Sequence, residues 1–319
     1  MATLKKTGMR ADIDLLLHKP TAPAKLRRRA ELAHRGLRWC VQIAFFIAAP
    51  AVFSASFNGV KYIFSQMGAQ QPLELTAFVS LLVAVLAFTC VFGRFFCGYA
   101  CAFGTLGDAV HALATPLRRL LHLEGKRMPP ALQHALQMLK YAVLAGICAL
   151  CFAGMWTRVS GHTPWVAFAA LDALNIDGVS AYAFAALGAV VVGMAFAERF
   201  FCQFLCPMGA LFSLLPLLPV SLFRRDRARC AKRCNRCQDR CPVAIHPDRD
   251  DLYQGECIAC GRCADGCPMA NVTLLRVGRA LEGDTAAQQR GYRWAVKGNE
   301  IVLTLVKAAA LAAICYILL

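Results

Sequence analysis

Apolar residues gather into five runs along this chain, near residues 37–57, 75–93, 136–156, 180–197 and 300–319. Each approaches the ~20 residues that a helix needs to cross ~30 Å of hydrocarbon. A helix satisfies its backbone hydrogen bonds internally, as a segment in lipid must. The pattern predicts an all-α membrane bundle of five transmembrane helices. Between the fourth and fifth runs lies a stretch of different character, residues 224–298, polar and cysteine-rich, with Pro216 and Pro219 marking the break before it. Four segments follow: a basic N-terminal segment 1–36, a four-helix membrane core 37–223, a module 224–298 and a last transmembrane helix 299–319.

Composition agrees with the pattern. The chain is 58% hydrophobic, above the usual share for a soluble domain. Its net charge of +16 would suit a nucleic-acid binder if it were spread over one face. Instead it is sorted by segment. Residues 1–38 hold 10 Lys or Arg, 94–135 hold 5 and 198–299 hold 16, which is 31 of the 35. Positive residues stay on the cytoplasmic side. The N-terminus and the module are therefore expected in the cytoplasm and the C-terminus outside, with no nucleic-acid partner. The first run imitates a signal peptide, but 36 residues precede it, so an uncleaved span is expected.

The membrane core repeats itself. Arg94-Phe95-Phe96-Cys97 recurs as Arg199-Phe200-Phe201-Cys202, Cys101 as Cys206 and Gly104 as Gly209, all at an offset of 105 residues. Each copy follows an even-numbered span at its cytoplasmic end. That is a parallel internal repeat of two hairpins, related by an axis along the membrane normal, a device other membrane proteins use.

Eight of the 17 cysteines crowd into residues 230–267. The first run is Cys230-x3-Cys234-x2-Cys237-x3-Cys241-Pro242, and the second is Cys257-x2-Cys260-x2-Cys263-x3-Cys267-Pro268. The second run has the spacing of bacterial two-cluster ferredoxins, in which three close thiolates hold one cubane and the fourth ligates the other. One 4Fe-4S cluster is expected on Cys230, Cys234, Cys237 and Cys267, and another on Cys257, Cys260, Cys263 and Cys241. The module thus reads as an α+β bacterial 2x4Fe-4S ferredoxin-like fold. Structural zinc, which takes four ligands per site, leaves the cysteine-proline steps unexplained. Free thiolates and Fe–S clusters also suit a reducing compartment.

The pairs Cys97/Cys101 and Cys202/Cys206 admit three readings. Cysteine packs well as a small apolar residue. Two pairs also suit a thiol–disulfide relay, or joint ligation of a third metal or Fe–S centre at the repeat interface. The repetition favours the shared centre. Cys40, Cys90, Cys148, Cys151 and Cys315 lie unmatched in apolar runs and read as packing residues. Asp108 and His111, after the first pair, read as interfacial and solvated, with proton transfer to a quinone as the functional alternative. Lys307, about 10 Å into the last run at 1.5 Å per residue, is expected to snorkel to the interface. No histidine pair sits within the spans for a membrane haem, and no nucleotide-binding glycine motif is present.

RFFCGYAC and RFFCQFLCP, followed by the eight-cysteine module and a final apolar run, resemble the membrane polyferredoxins. That family includes the NapH-type subunit of quinol dehydrogenases, the membrane core of NosR and YccM-like proteins. The resemblance covers roughly residues 37–319. Cys206-Pro207 fits the family's Cys-Pro step, whereas Cys101 is followed by Ala102. The resemblance implies electron transfer in the bacterial cytoplasmic membrane, between the quinone pool or a cytoplasmic donor and an extracytoplasmic partner. That partner would be a separate flavoprotein, cytochrome or reductase, and quinone an expected ligand. A cupric reductase and a redox-sensing or assembly membrane protein are the rival readings.

Overall fold

A computed structural model describes residues 24–123, 129–216, 218, 223–225, 234, 236–245, 255–267, 272–273 and 299–318. Cys230 and the expected N-terminal segment up to residue 23 lie outside the described residues. The chain is mostly helical. In order come α1 (Ala24–Ala48), α2 (Val52–Gly68), α3 (Ala77–Phe92), a π-helical turn (Phe96–Ala100), α4 (Ala102–Leu120), α5 (Pro130–Phe152), α6 (Trp156–Ser160), α7 (Pro164–Asp172), α8 (Ala181–Phe196), α9 (Phe200–Phe204) and α10 (Pro207–Ser213). Then follow β1 (Arg224–Arg225), α11 (Arg236–Asp239), α12 (Arg262–Gly266), β2 (Val272–Thr273) and α13 (Asn299–Leu318).

Helix starts follow from local chemistry. Proline, whose missing N–H costs nothing in the first turn, opens α5, α7 and α10. Ser180 caps α8 by accepting the Tyr182 N–H at 3.3 Å.

Among the described residues, two helices are long and apolar enough to cross a membrane, over Leu132–Phe152 and Glu300–Leu318, with mean hydropathies of 1.8 and 2.4. A bent pair, Arg28–Ala48 with Val52–Gly68, makes a third if counted as one span. Here the structure corrects the sequence reading, which took 37–57 as a continuous helix. The chain turns by 62° between α1 and α2. Pro50 is the cause. It lacks an N–H, its ring would clash with the Phe46 carbonyl, and it pushes Ala49 out of the helical region. The apolar helices α3 and α8 have 16 residues each. At 1.5 Å per residue each is about 24 Å long.

The chain forms two compact units, one drawn from Met1–Val41, Val91–Phe95 and Leu217–Ala309, the other from Gln42–Cys90, Phe96–Pro216 and Ala310–Leu319. In the second unit α2 packs on α5, and α4 and α7 pack on α8. α9 lies against α4, α5 and α8. Its core is aromatic: Phe103 meets Phe168 at 4.6 Å and stacks on Phe201 at 4.8 Å, and Phe53 closes on both Phe103 and Phe201. In the first unit β1 and β2 pair antiparallel, Arg224 opposite Thr273. Phe223, Ala264 and Val272 form a small core there, with Ile245 and Leu303 packed against it.

Candidate iron–sulfur sites

The repeated cysteines occupy matching places. Cys97 lies in the π-helical turn and Cys202 in α9. Cys101 is the N-cap of α4 and Cys206 the N-cap of α10, both with extended backbone (φ −69, ψ 122 and φ −73, ψ 112). The Cys206 sulfur accepts the N–H of Gly209, three residues on, at 3.2 Å. Ala102 in place of proline leaves the backbone of Cys101 in the same extended conformation as that of Cys206.

All four cysteines are buried. They are also close enough to feel one another's charge. Burial pushes the Cys101 thiol up, and Cys202 and Cys97 add to the rise. Burial does the same to Cys206, with Cys202, Cys101 and Cys97 adding to it. Without a metal the Cys101 and Cys206 thiols keep their protons; bound iron would take the place of those protons, as thiolate ligation requires. Among the described residues no group of three or more His, Cys, Asp or Glu is arranged to hold one metal ion. A cubane spreads its ligands over separate irons, a wider set than a single ion needs, and the donor set fits that. No described cysteine forms a disulfide with another.

Arg199 binds this group. It is 1% exposed and adopts the left-handed conformation, φ 58°. Its Nε donates to Asp108 Oδ1 at 2.8 Å and its Nη2 to Asp108 Oδ2 at 2.7 Å. The same guanidinium donates to the carbonyls of Cys97 and Gly98. Gln42 Nε2 donates to Asp108 Oδ2 at 2.8 Å and to the Gly98 carbonyl at 3.1 Å. Burial alone would lower the Arg199 pKa, but the Asp108 carboxylate outweighs it and the guanidinium stays charged. Asp108, read from sequence as solvated, is thus 4% exposed and ion-paired.

The module holds a second group. Cys241 joins Cys257, Cys260 and Cys263 around one cavity, with Phe223 and Ile258 also lining it. One cysteine comes from the first run and three from the second, the crossed set that the spacing implies. Backbone N–H groups of Val243 and Ile245 reach the Cys241 sulfur, and that of Ala259 the Cys257 sulfur. The loops curl around the cavity through left-handed residues Ala244, Ala259 and Gly261. Burial raises all three of Cys241, Cys257 and Cys263, Cys257 to about 11. Cys237 lies near Cys263, and its helix α11 packs on α12. Cys234 and Cys267 are half-buried. Cys230, the remaining expected ligand of that set, lies outside the described residues.

The 4Fe-4S binding domain family matches this chain twice, over residues 75–123 and 179–226. Each stretch contains one C-x3-C pair. The chain is 30% identical over 165 residues to protein NirI of Paracoccus denitrificans, covering 51% of this chain and 23% of NirI. It is 28% identical over 154 residues to the regulatory protein NosR of Pseudomonas aeruginosa, covering 48% of this chain and 21% of NosR. It is 25% identical over 202 residues to YccM of Escherichia coli (strain K12), named as a candidate electron transport protein, covering 61% of this chain and 54% of YccM. These relatives agree with the resemblance to membrane polyferredoxins that the cysteine motifs carry. Both stretches that carry the C-x3-C pairs are thus similar to 4Fe-4S binding domains, in a chain with helices long and apolar enough to cross a membrane. The chain spans less than a quarter of NirI and of NosR and about half of YccM. No solved structure matches it.

Several residues beside these cysteine groups escaped the sequence reading. Arg94 Nη1 donates to the Gly255 carbonyl at 2.8 Å and lies 3.4 Å from Glu256 Oε2, beside Cys257. His34 Nδ1 meets Asp265 Oδ2 at 2.6 Å, both buried, and so ties α1 to α12. Lys307 does not snorkel; it is 2% exposed, with Nζ over the rings of Phe92 and Phe95. The available signal was polar residues inside apolar stretches, such as Gln42 and Asp108, which rarely go inside unless paired.

Proposed function

We propose that this polyferredoxin passes electrons between the quinone pool or a cytoplasmic donor and an extracytoplasmic redox partner. Two 4Fe-4S clusters would sit in the cytoplasmic module, on Cys230, Cys234, Cys237 and Cys267 and on Cys257, Cys260, Cys263 and Cys241. A third centre would be held by Cys97, Cys101, Cys202 and Cys206. A 4Fe-4S cluster, when bound, takes up and releases one electron without moving heavy atoms. The protein's part is to keep the cysteines buried, donate N–H groups to their sulfurs and place fixed charges beside them. The observation that carries this reading is the convergence of two cysteine pairs, one from each stretch matched by the 4Fe-4S binding domain family, in one buried group.

Five membrane crossings, with α3 and α8 among them and the two hairpins as a parallel repeat, belong to the same proposal. So does the functional division into 1–36, 37–223, 224–298 and 299–319. Both rest on the apolar runs, and the bias of Lys and Arg supports a cytoplasmic N-terminus and module in a bacterial inner membrane.

Iron and sulfide analysis of anaerobically purified protein tests the cluster content. Two cubanes give about 8 iron and 8 sulfide in the module, and the third centre about 4 more of each. Replacing all four membrane cysteines by serine should remove only the last 4. In membrane vesicles a quinol should reduce the clusters; reduction by neither a quinol nor a soluble low-potential donor would overturn the transfer reading.

A further inference from the structure

The sequence repeat duplicates an arginine, yet its two copies serve different neighbours. Arg199 is buried in the unit that holds the membrane cysteines. Its guanidinium donates to the backbone carbonyl of Cys97 and to that of Gly98. Gly104 makes room for it, because a Cβ there would overlap the guanidinium. Arg94 is equally buried, at 1% exposure, but in the other unit. It donates to the Gly255 carbonyl, two residues before Cys257. Each arginine has its own carboxylate: Asp108 holds Arg199 by two hydrogen bonds, and Glu256 faces Arg94 at 3.4 Å.

We propose that the duplicated arginine sets the reduction potentials of two different centres, Arg199 that of the Cys97/Cys101/Cys202/Cys206 group and Arg94 that of the Cys241/Cys257/Cys260/Cys263 group. This rests on the reading that both groups hold iron–sulfur clusters. The physical reason is simple. Reduction adds a negative charge to a centre, and a fixed cation in a water-poor surrounding favours that state far more than it would in water. Charge, hydrogen bonding and burial are the levers by which a protein tunes such centres. Asp108 tempers the Arg199 charge while fixing its direction, so the two residues act with opposite sign. Electrostatic contact supports the pairing: Arg199 interacts with Cys202 and Cys101, and Arg94 with Cys257. Lys307 adds a second cation near Cys257, so the effect of losing Arg94 should be the smaller.

The opposite signs give the test. Purified full-length chain is titrated potentiometrically with spin-resonance detection, as wild type and as Arg199→Gln, Arg199→Lys, Asp108→Asn and Arg94→Gln. Cys202→Ser and Cys260→Ser assign the signals. Arg199→Gln should lower the reduced-to-oxidised ratio of the signal lost in Cys202→Ser by about tenfold at fixed ambient potential, which is ~59 mV for a one-electron couple. It should leave the signal lost in Cys260→Ser in place. Asp108→Asn should move the first signal the other way, and Arg199→Lys should largely restore it. Arg94→Gln should lower only the second signal. Signals that stay put in Arg199→Gln and Asp108→Asn, or that move together in both, overturn the proposal and leave the cluster assignment standing. If Cys202→Ser keeps every signal with full iron and sulfide, the membrane cysteines hold no cluster and both readings fall. Should Arg199→Gln not accumulate in membranes, the direction of the Asp108→Asn shift decides: upward supports the proposal, and unchanged or downward overturns it.

Discussion

Four cysteines separate a packing role from a chemical one at the scale of single residues. Packing tolerates a cysteine-to-serine change at a cost of about 1 kcal/mol. A shared centre does not, because one missing thiolate leaves an iron open. Cys97→Ser, Cys101→Ser, Cys202→Ser and Cys206→Ser should each abolish electron transfer and one spin signal, with the module's own signals retained. A variant that keeps turnover and all signals would return that cysteine to packing. His34 and Asp265 make a different prediction. Both are buried and 2.6 Å apart, so removing one partner takes a buried hydrogen bond from the other. His34→Ala should destabilise the module by ~1–3 kcal/mol, the usual cost of removing one partner of a buried hydrogen bond. Thermal loss of the cluster absorbance, compared with wild type, reads it directly.

Elements here are defined by what interrupts them. Pro50 turns a single apolar run into α1 and α2, and the 62° bend lets α2 pack on α5. Pro50→Ala restores an N–H and removes the ring clash, so the bend loses its local cause. We expect the variant to lose ~1–3 kcal/mol of stability, seen as earlier thermal unfolding in detergent; a melting point equal to wild type would show that packing alone holds the bend. The two C-x3-C segments are instructive in another way. Phe96–Ala100 winds as a π-helical turn and Phe200–Phe204 as an α-helical one, yet both deliver the second cysteine to the N-cap of the next helix. Sequence symmetry is kept at the sulfurs and relaxed in the backbone between them.

Over the whole molecule, the charge distribution predicts a topology. A reporter fused after Leu319 should be active outside the cytoplasm, and one placed near Asp250 should be active inside. The reverse pattern would overturn the orientation and the cytoplasmic assignment of the module with it. The compact units also cut across chain order. Among the described residues, those up to Val41 and the short piece Val91–Phe95 group with the module in one unit, and most of the core makes up the other. That is why Arg94 and Arg199, equivalent in sequence, work in different surroundings.

Candidate iron–sulfur ligands were legible in the sequence because ligand spacing is local: Cys257, Cys260 and Cys263, three cysteines within seven residues, suit three irons of one cubane. The crossed set of Cys241 with Cys257, Cys260 and Cys263 followed from the same spacing, and the four surround one cavity. Membrane character was legible because hydropathy is a property of each residue. Helix lengths were less so, since α3 and α8 stop at 16 residues where Gly93 and the left-handed Arg199 redirect the chain. What only the tertiary structure decided is where the polar residues of apolar stretches go. Asp108 and Arg199 are 91 residues apart, His34 and Asp265 are 231 apart, and Arg94 and Gly255 are 161 apart. No spacing rule links such distant positions. They meet because a buried charge must find an opposite charge or a carbonyl, and only the folded chain supplies one within reach.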